Sequence, residues 1–284
     1  MVGPTSAAAR VSDALQGAPG TLRGISFVSE EVLAEIVWNN PSDSPVVSAV
    51  RDLALDFAFV RAHDPRATRL TEQLAEAGAA ALWVVDGPFG QVAAERGWAA
   101  ALADVIRARD QLATDLSAVA QRDFEHVRAA AQAGAAAIVV AEDLSLASGF
   151  LMGPDDALEL LIPALGTLAR EAHAHGLAAV LHSDGDVRAF MAALARQGFA
   201  GLHLGGLGWE GFEAQYQAAR AHGLAVLGGL EGAELRQGSA VAARVGARVA
   251  VLAEKGGLLV CDDGGLTRGE EVAALVTALQ AVPR

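Results

Sequence analysis

Six consecutive residues, Leu181-His182-Ser183-Asp184-Gly185-Asp186, place an imidazole and a carboxylate two positions apart at the end of an apolar run. Side chains two apart on an extended chain share a face, so His182 and Asp184 can act on one ligand. Two chemistries suit them: joint coordination of a metal, or a carboxylate that orients and charges an imidazole for acid–base work. Other apolar runs also end in ionisable groups: Arg61, His63 and Asp64; Asp86 before Gly87-Pro88; Glu142-Asp143; His203; Glu231; and Cys261-Asp262-Asp263. Catalytic work is assigned to His182, Asp184 and Asp143. Substrate contacts are assigned to Arg61, His63, Asp86, Glu142, His203, Glu231 and Asp263.

A plainer use competes at several of these positions. Asp186 and Glu231 have the place and chemistry of helix N-caps. His173, His175 and His222 precede glycines in last helical turns, where a cation suits the helix dipole. His126 reads as a surface residue. A buried structural histidine is the alternative for both His182 and His203.

What must position these groups is a repeated unit. Five times an Ala-rich helical segment stops at a glycine and a short apolar run follows, as in EAGAAALWVVD and AAQAGAAAIVVAED. Runs that are continuously apolar suit parallel strands buried on both faces. The intervening segments carry one-sided stripes, such as Val187, Phe190, Met191 and Leu194. Asp155 or Asp156 is expected to cap the helix running toward Gly176, and Pro163 to kink it. Strands are expected at 56–60, 82–86, 136–141, 177–182, 200–204, 224–228 and 258–261, with an eighth from 23–28 or 45–50. The alternation predicts a single α/β domain over 1–284, a (β/α)8 TIM-type barrel irregular at its N-terminal strand, with 1–50 irregular or helical. Its chemistry belongs at the C-terminal strand ends, where the groups above collect. No Gly-x-Gly-x-x-Gly or Walker loop follows a strand.

Composition narrows the partners. The 284 residues carry a net charge of −13, which argues against a nucleic-acid surface. Hydrophobic residues make up 52% of the chain, yet no apolar run has the length of a membrane span. The start lacks a secretory signal, and the single cysteine fits a reducing compartment, so a cytoplasmic location is expected.

In order and spacing, Gly87-Pro88-Phe89, AGAAAIVVAED, LHSDGD, GGLE at 228–231 and the closing GGLLVCDDGGLTRGEEVAAL resemble the uroporphyrinogen decarboxylase superfamily over roughly residues 50–280. The resemblance implies a β/α barrel and either decarboxylation or methyl transfer between corrinoid proteins and thiols. It also implies a small-molecule substrate, a corrinoid protein as partner and a homodimer. The decarboxylase's N-terminal arginine-rich motif is absent, since residues 1–50 hold only Arg10 and Arg23, and Gly264 stands at a family histidine. The thiol-directed enzymes bind zinc through His-x-Cys and a later Cys. Here His182 is kept, Asp184 replaces the first Cys, and Cys261 lies three residues before the later one. Zinc held by His182, Asp184 and Cys261 is therefore one expectation, and a metal-free His182–Asp184 pair the other. Methyl transfer from a corrinoid is the leading reading, with Glu142, Asp143 and Glu231 shaping the site. The alternatives are decarboxylation of uroporphyrinogen or a smaller carboxylate gripped by Arg61, Arg66 and Arg188, and a non-catalytic tetrapyrrole-binding barrel.

Overall fold

A computed structural model describes residues 6–34, 44–146 and 148–283 of the chain. Eight parallel strands close into one barrel: β1 (Leu22–Ile25), β2 (Phe57–Arg61), β3 (Ala80–Asp86), β4 (Ala137–Ala141), β5 (Ala178–Asp184), β6 (Gly201–Gly205), β7 (Ala225–Leu230) and β8 (Leu258–Asp262). Neighbours in space are neighbours in sequence, and β1 closes the ring between β8 and β2. The (β/α)8 barrel anticipated from the repeats is thus present, with all seven definite strands within two residues of their expected ends.

The eighth strand is the 23–28 candidate, shortened to Leu22–Ile25. The other candidate is helix Pro45–Leu53, which opens with proline at its first turn, a position where the missing N–H costs nothing. Of the N-terminal segment, residues 1–5 and 35–43 lie outside the described residues. Arg23 ties β1 to the chain's far end, its guanidinium donating to the carbonyl of Leu279 at 3.0 Å.

Two apolar cores follow from the alternation of side chains along each strand. One fills the barrel and includes Phe57, Phe59, Leu82, Val84, Val139, Val180, Leu227, Leu259 and Cys261. The other lies between strands and helices and takes the intervening residues, among them Ala58, Ala81, Ile138, Ala179, Leu202 and Val260. Val11, Ala14 and Leu15 of helix Ala7–Leu15 belong to the inner core, so this helix covers the N-terminal end of the barrel. Helices stop at glycines such as Gly134 and Gly198, whose φ of 81° and 98° would strain a side-chain-bearing residue.

The proline at 163 acts one turn earlier than a simple kink. It cannot donate to the carbonyl four residues back, and the preceding Ala157–Leu161 widens into a π-type turn before helix Ile162–Ala174 resumes. The helix start lies at Gly153, and no side chain of Asp155 or Asp156 caps it; Asp156 pairs with Arg109 instead. Among the described residues no helix is long and apolar enough to cross a membrane.

Candidate active site

The strand alternation decides which exit residues reach the interior. On β5 the inward positions are Ala178 and Val180, and His182 and Asp184 continue that row. Asp143 continues the row of Val139 and Ala141, and Asp263 that of Leu259 and Cys261. These residues, with Arg61, Phe27, Gly206, Gly264 and Gly265, line a cavity of about 370 Å³ at the C-terminal end of the barrel. That volume suits a small ligand.

His182 and His203 are register partners on adjacent strands, so both rings turn inward side by side. Their Nδ1 atoms are 2.7 Å apart. His203 is fully enclosed, and its Nε2 lies 2.9 Å from the carbonyl oxygen of Asp262. Phe27 packs on His182 with ring centroids 4.7 Å apart, and Phe59 packs on His203 at 5.1 Å. Burial among these rings penalises the charged form. It pushes His182 down to about 4 and lowers His203 as well, with repulsion from His182 adding to the effect.

Three carboxyls also line the cavity. Asp143 Oδ1 accepts the backbone N–H of Asp184 at 2.9 Å. Burial, then the nearby Asp143 charge, raises the Asp184 carboxyl. Asp263 accepts from the Gly232 N–H at 2.9 Å, yet burial and its acidic neighbours push it up to about 7. Asp184 and Asp263 approach across Gly205, where an added Cβ would lie 2.8 Å from one and 2.9 Å from the other. Arg61, whose guanidinium stacks 5.6 Å from the Phe27 ring, is the one cation lining this cavity among the described residues.

Not every expected residue joins. Glu142 is even-numbered on a strand whose odd residues face inward, and it points to the helices. It accepts the N–H groups of Phe89 at 2.6 Å and Gly90 at 3.1 Å, capping helix Pro88–Arg96. Burial raises its carboxyl to about 8 while those two donors pull the other way. The substitution site opposite is closed, since a Cβ on Gly87 would meet Glu142 at 2.4 Å. Glu231 also leaves the cavity. Gly228 and Gly229, both at positive φ, turn their Cβ positions toward Phe212 and Val249 on the helix side, so β7 stops alternating. The Glu231 carboxyl lies near the amides of Leu207 and Gly208 at the start of helix Gly208–Ala221, burial raises it, and its buried Oε1 has no hydrogen-bond partner among the described residues. Glu142 is thus corrected from a substrate contact to a helix-terminus acceptor, and Glu231 is not among the residues that line the cavity.

His203 stands behind His182 and does not line the cavity. His63 lies on a neighbouring cavity that shares only Arg61 with the first, and Asp86 is exposed at the end of β3. Arg66 is tied to Asp64 and Glu30, and Arg188 to Asp186, which also accepts the Arg188 N–H as a local cap. Cys261 is buried in the inner core, and burial holds its thiol well above the usual range. Among the described residues no three His, Cys, Asp or Glu side chains are grouped as a metal requires, so the His182–Asp184–Cys261 zinc set does not fit.

Sequence reasoning missed Phe27, Gly206 and Gly265. Phe27 lies two residues past β1, and choosing that strand would have found it. Gly264, noted as a departure, does line the cavity, and a Cβ there would sit 3.4 Å from Phe27.

Residues 66–256 match the family described as uroporphyrinogen decarboxylase (URO-D). No curated protein matches the chain. Among solved structures the fold is similar to a methyltransferase from Methanosarcina mazei, with a TM-score of 0.73 and 17% identity over 98% of this chain and 99% of that one. D-psicose 3-epimerase from Clostridium cellulolyticum H10 gives 0.55 and 10% identity over 92% and 96%. Tryptophan synthase from M. tuberculosis gives 0.51 and 16% identity over 98% and 99%. At these identities the likeness is one of fold.

Proposed function

This chain belongs to the uroporphyrinogen decarboxylase family, and on that footing we propose that it is a methyltransferase in which His182 is the general base. The observation that carries the reading is a neutral imidazole on the wall of a small acidic cavity at the barrel's C-terminal end. A neutral imidazole accepts a proton at once, whereas a charged one must first lose its own.

In this reading the acceptor's X–H proton passes to His182 as X bonds to the methyl carbon. The bond from the methyl group to its donor breaks with the electron pair staying on the donor. Asp143 and Asp184 share the cavity wall with His182 and shape the space that the acceptor occupies. The sequence resemblance to corrinoid-dependent methyltransferases supports a corrinoid as donor, and the fold shared with the M. mazei methyltransferase is compatible with methyl transfer. A cavity of about 370 Å³ has room for a small acceptor beside His182, and a corrinoid bound to a partner protein would supply the methyl group.

Decarboxylation of a polycarboxylate is less well supported. Among the described residues Asp143, Asp184 and Asp263 line the cavity with Arg61 as the one cation, and even with Asp263 raised to about 7 that lining does not favour a polyanionic substrate. A neutral or cationic acceptor fits better.

Incubation with methylcobalamin and a panel of thiol and amine acceptors tests the proposal through the spectral change from methylated to free cobalamin. Turnover that disappears in His182→Ala is expected. Absence of demethylation with every acceptor overturns methyl transfer, and carbon dioxide release from uroporphyrinogen would put decarboxylation in its place. Tight corrinoid binding without turnover would leave a binding protein.

A further inference from the structure

His203 has no described contact with the cavity, yet its two ring nitrogens are both committed. Its Nε2 faces the carbonyl oxygen of Asp262 at 2.9 Å, and a carbonyl can only accept, so the ring proton sits on Nε2. In the neutral imidazole the other nitrogen, Nδ1, is then a bare acceptor. The atom 2.7 Å away is Nδ1 of His182, which must donate. His182 therefore carries its proton on Nδ1 and none on Nε2. We infer that His203 is a positioning residue that locks His182 in the Nδ1–H tautomer, leaving the Nε2 lone pair for the cavity.

The carbonyl that begins this chain is itself held in place. The Asp262 carboxylate accepts from Ser26 through N–H at 2.8 Å and Oγ–H at 2.6 Å, and from the Gly264 N–H at 3.2 Å. These bonds tie the end of β8 to the residue just past β1, fixing the oxygen that His203 donates to. The surroundings keep both rings neutral, as the tautomer argument requires. Phe27, Phe59 and the Arg61 guanidinium face the pair, and among the described residues no carboxylate hydrogen-bonds either ring. A free imidazole prefers its proton on Nε2, so the Nδ1–H form needs a partner such as His203.

The tautomer rests on the hydrogen-bond geometry of two neutral rings, whereas its catalytic consequence rests on the reading of His182 as base. Long-range ¹H–¹⁵N spectra of the histidine-labelled protein at neutral pH are expected to show His182 protonated on Nδ1 and bare on Nε2. In His203→Leu the proton is expected to move to Nε2. There kcat for methyl transfer should fall roughly tenfold or more with KM nearly unchanged. His203→Asn can present a carboxamide oxygen near the old Nδ1 position, and is expected to keep the tautomer and recover part of kcat. Wild-type spectra with His182 protonated on Nε2 overturn the inference, as does an unchanged tautomer in His203→Leu. If the leucine variant does not fold, the wild-type and asparagine spectra still decide. A confirmed tautomer without methyl transfer to any acceptor removes the proposed reaction and leaves the positioning role intact.

Discussion

Two sets of acids, one buried and one half-buried, sit at the same end of this barrel and do different work. Glu142 and Glu231 leave the cavity; Glu142 takes up two backbone amides at a helix start, and Glu231 lies buried beside another with its Oε1 unpartnered among the described residues. Asp143, Asp184 and Asp263 point inward and line the cavity. Glu142 and Asp143 are adjacent in sequence, so one step along the chain separates a capping residue from a site residue. Composition at the strand exits does not tell them apart; alternation separates Glu142 from Asp143, while at Glu231 the paired glycines interrupt it.

The comparison can be broken at several points. The largest effect is expected at the inward row. His182→Ala should lower kcat/KM by roughly 10²- to 10⁴-fold with a far smaller change in thermal midpoint, measured by steady-state kinetics and calorimetry. A stability loss that accounts for the lost activity would erase the distinction between the two sets.

Next comes the outward row. Glu142→Ala leaves the amides of Phe89 and Gly90 without acceptors inside the protein, at a cost of about 1–3 kcal/mol in urea unfolding. Activity per folded molecule should be nearly unchanged. Glu142→Gln should cost less, because burial raises the carboxyl to about 8 and a neutral amide oxygen can serve the same donors.

A smaller effect is a pH dependence at Asp263. Its carboxyl is pushed from 3.8 to about 7 on folding, so the native state holds the proton more tightly than the unfolded chain. This contribution is fully present below about 3.8 and is lost as pH rises through about 7. Asp263→Asn removes it, so the variant should gain stability relative to wild type across that window and no further above it. Denaturation at a series of pH values checks the sign.

The smallest effect is expected outside both sets. Arg188 is exposed and paired with Asp186, so Arg188→Ala should shift stability by less than ~1 kcal/mol and leave KM unaltered. A large rise in KM would restore a carboxylate-binding role for that arginine.

The barrel was legible because each repeat states its own register: an Ala-rich helix, a glycine stop and an apolar strand. The missing strand was not, since Leu22–Ile25 is short and the β-branched stretch after Pro45 reads equally as strand until proline's place in a first helical turn is weighed. At the site, His182, Asp184, Asp143, Asp263 and Arg61 were found from strand exits and do meet at one cavity. Glu142 was misplaced because parity was not applied. Glu231 escaped for a different reason, as paired glycines at positive φ upset the alternation that parity depends on. The contact between His182 and His203 needs the register of two strands that are 21 residues apart, which no local pattern reports.

The helix Ala7–Leu15 seals one end of the barrel with Val11, Ala14 and Leu15. Among the described residues the cavity lies at the far end from this helix, with the inner apolar core between them. On the proposed methyl transfer, an acceptor seated beneath its donor would arrive first and leave last, and the floor of the barrel would set that order from far outside the chemistry.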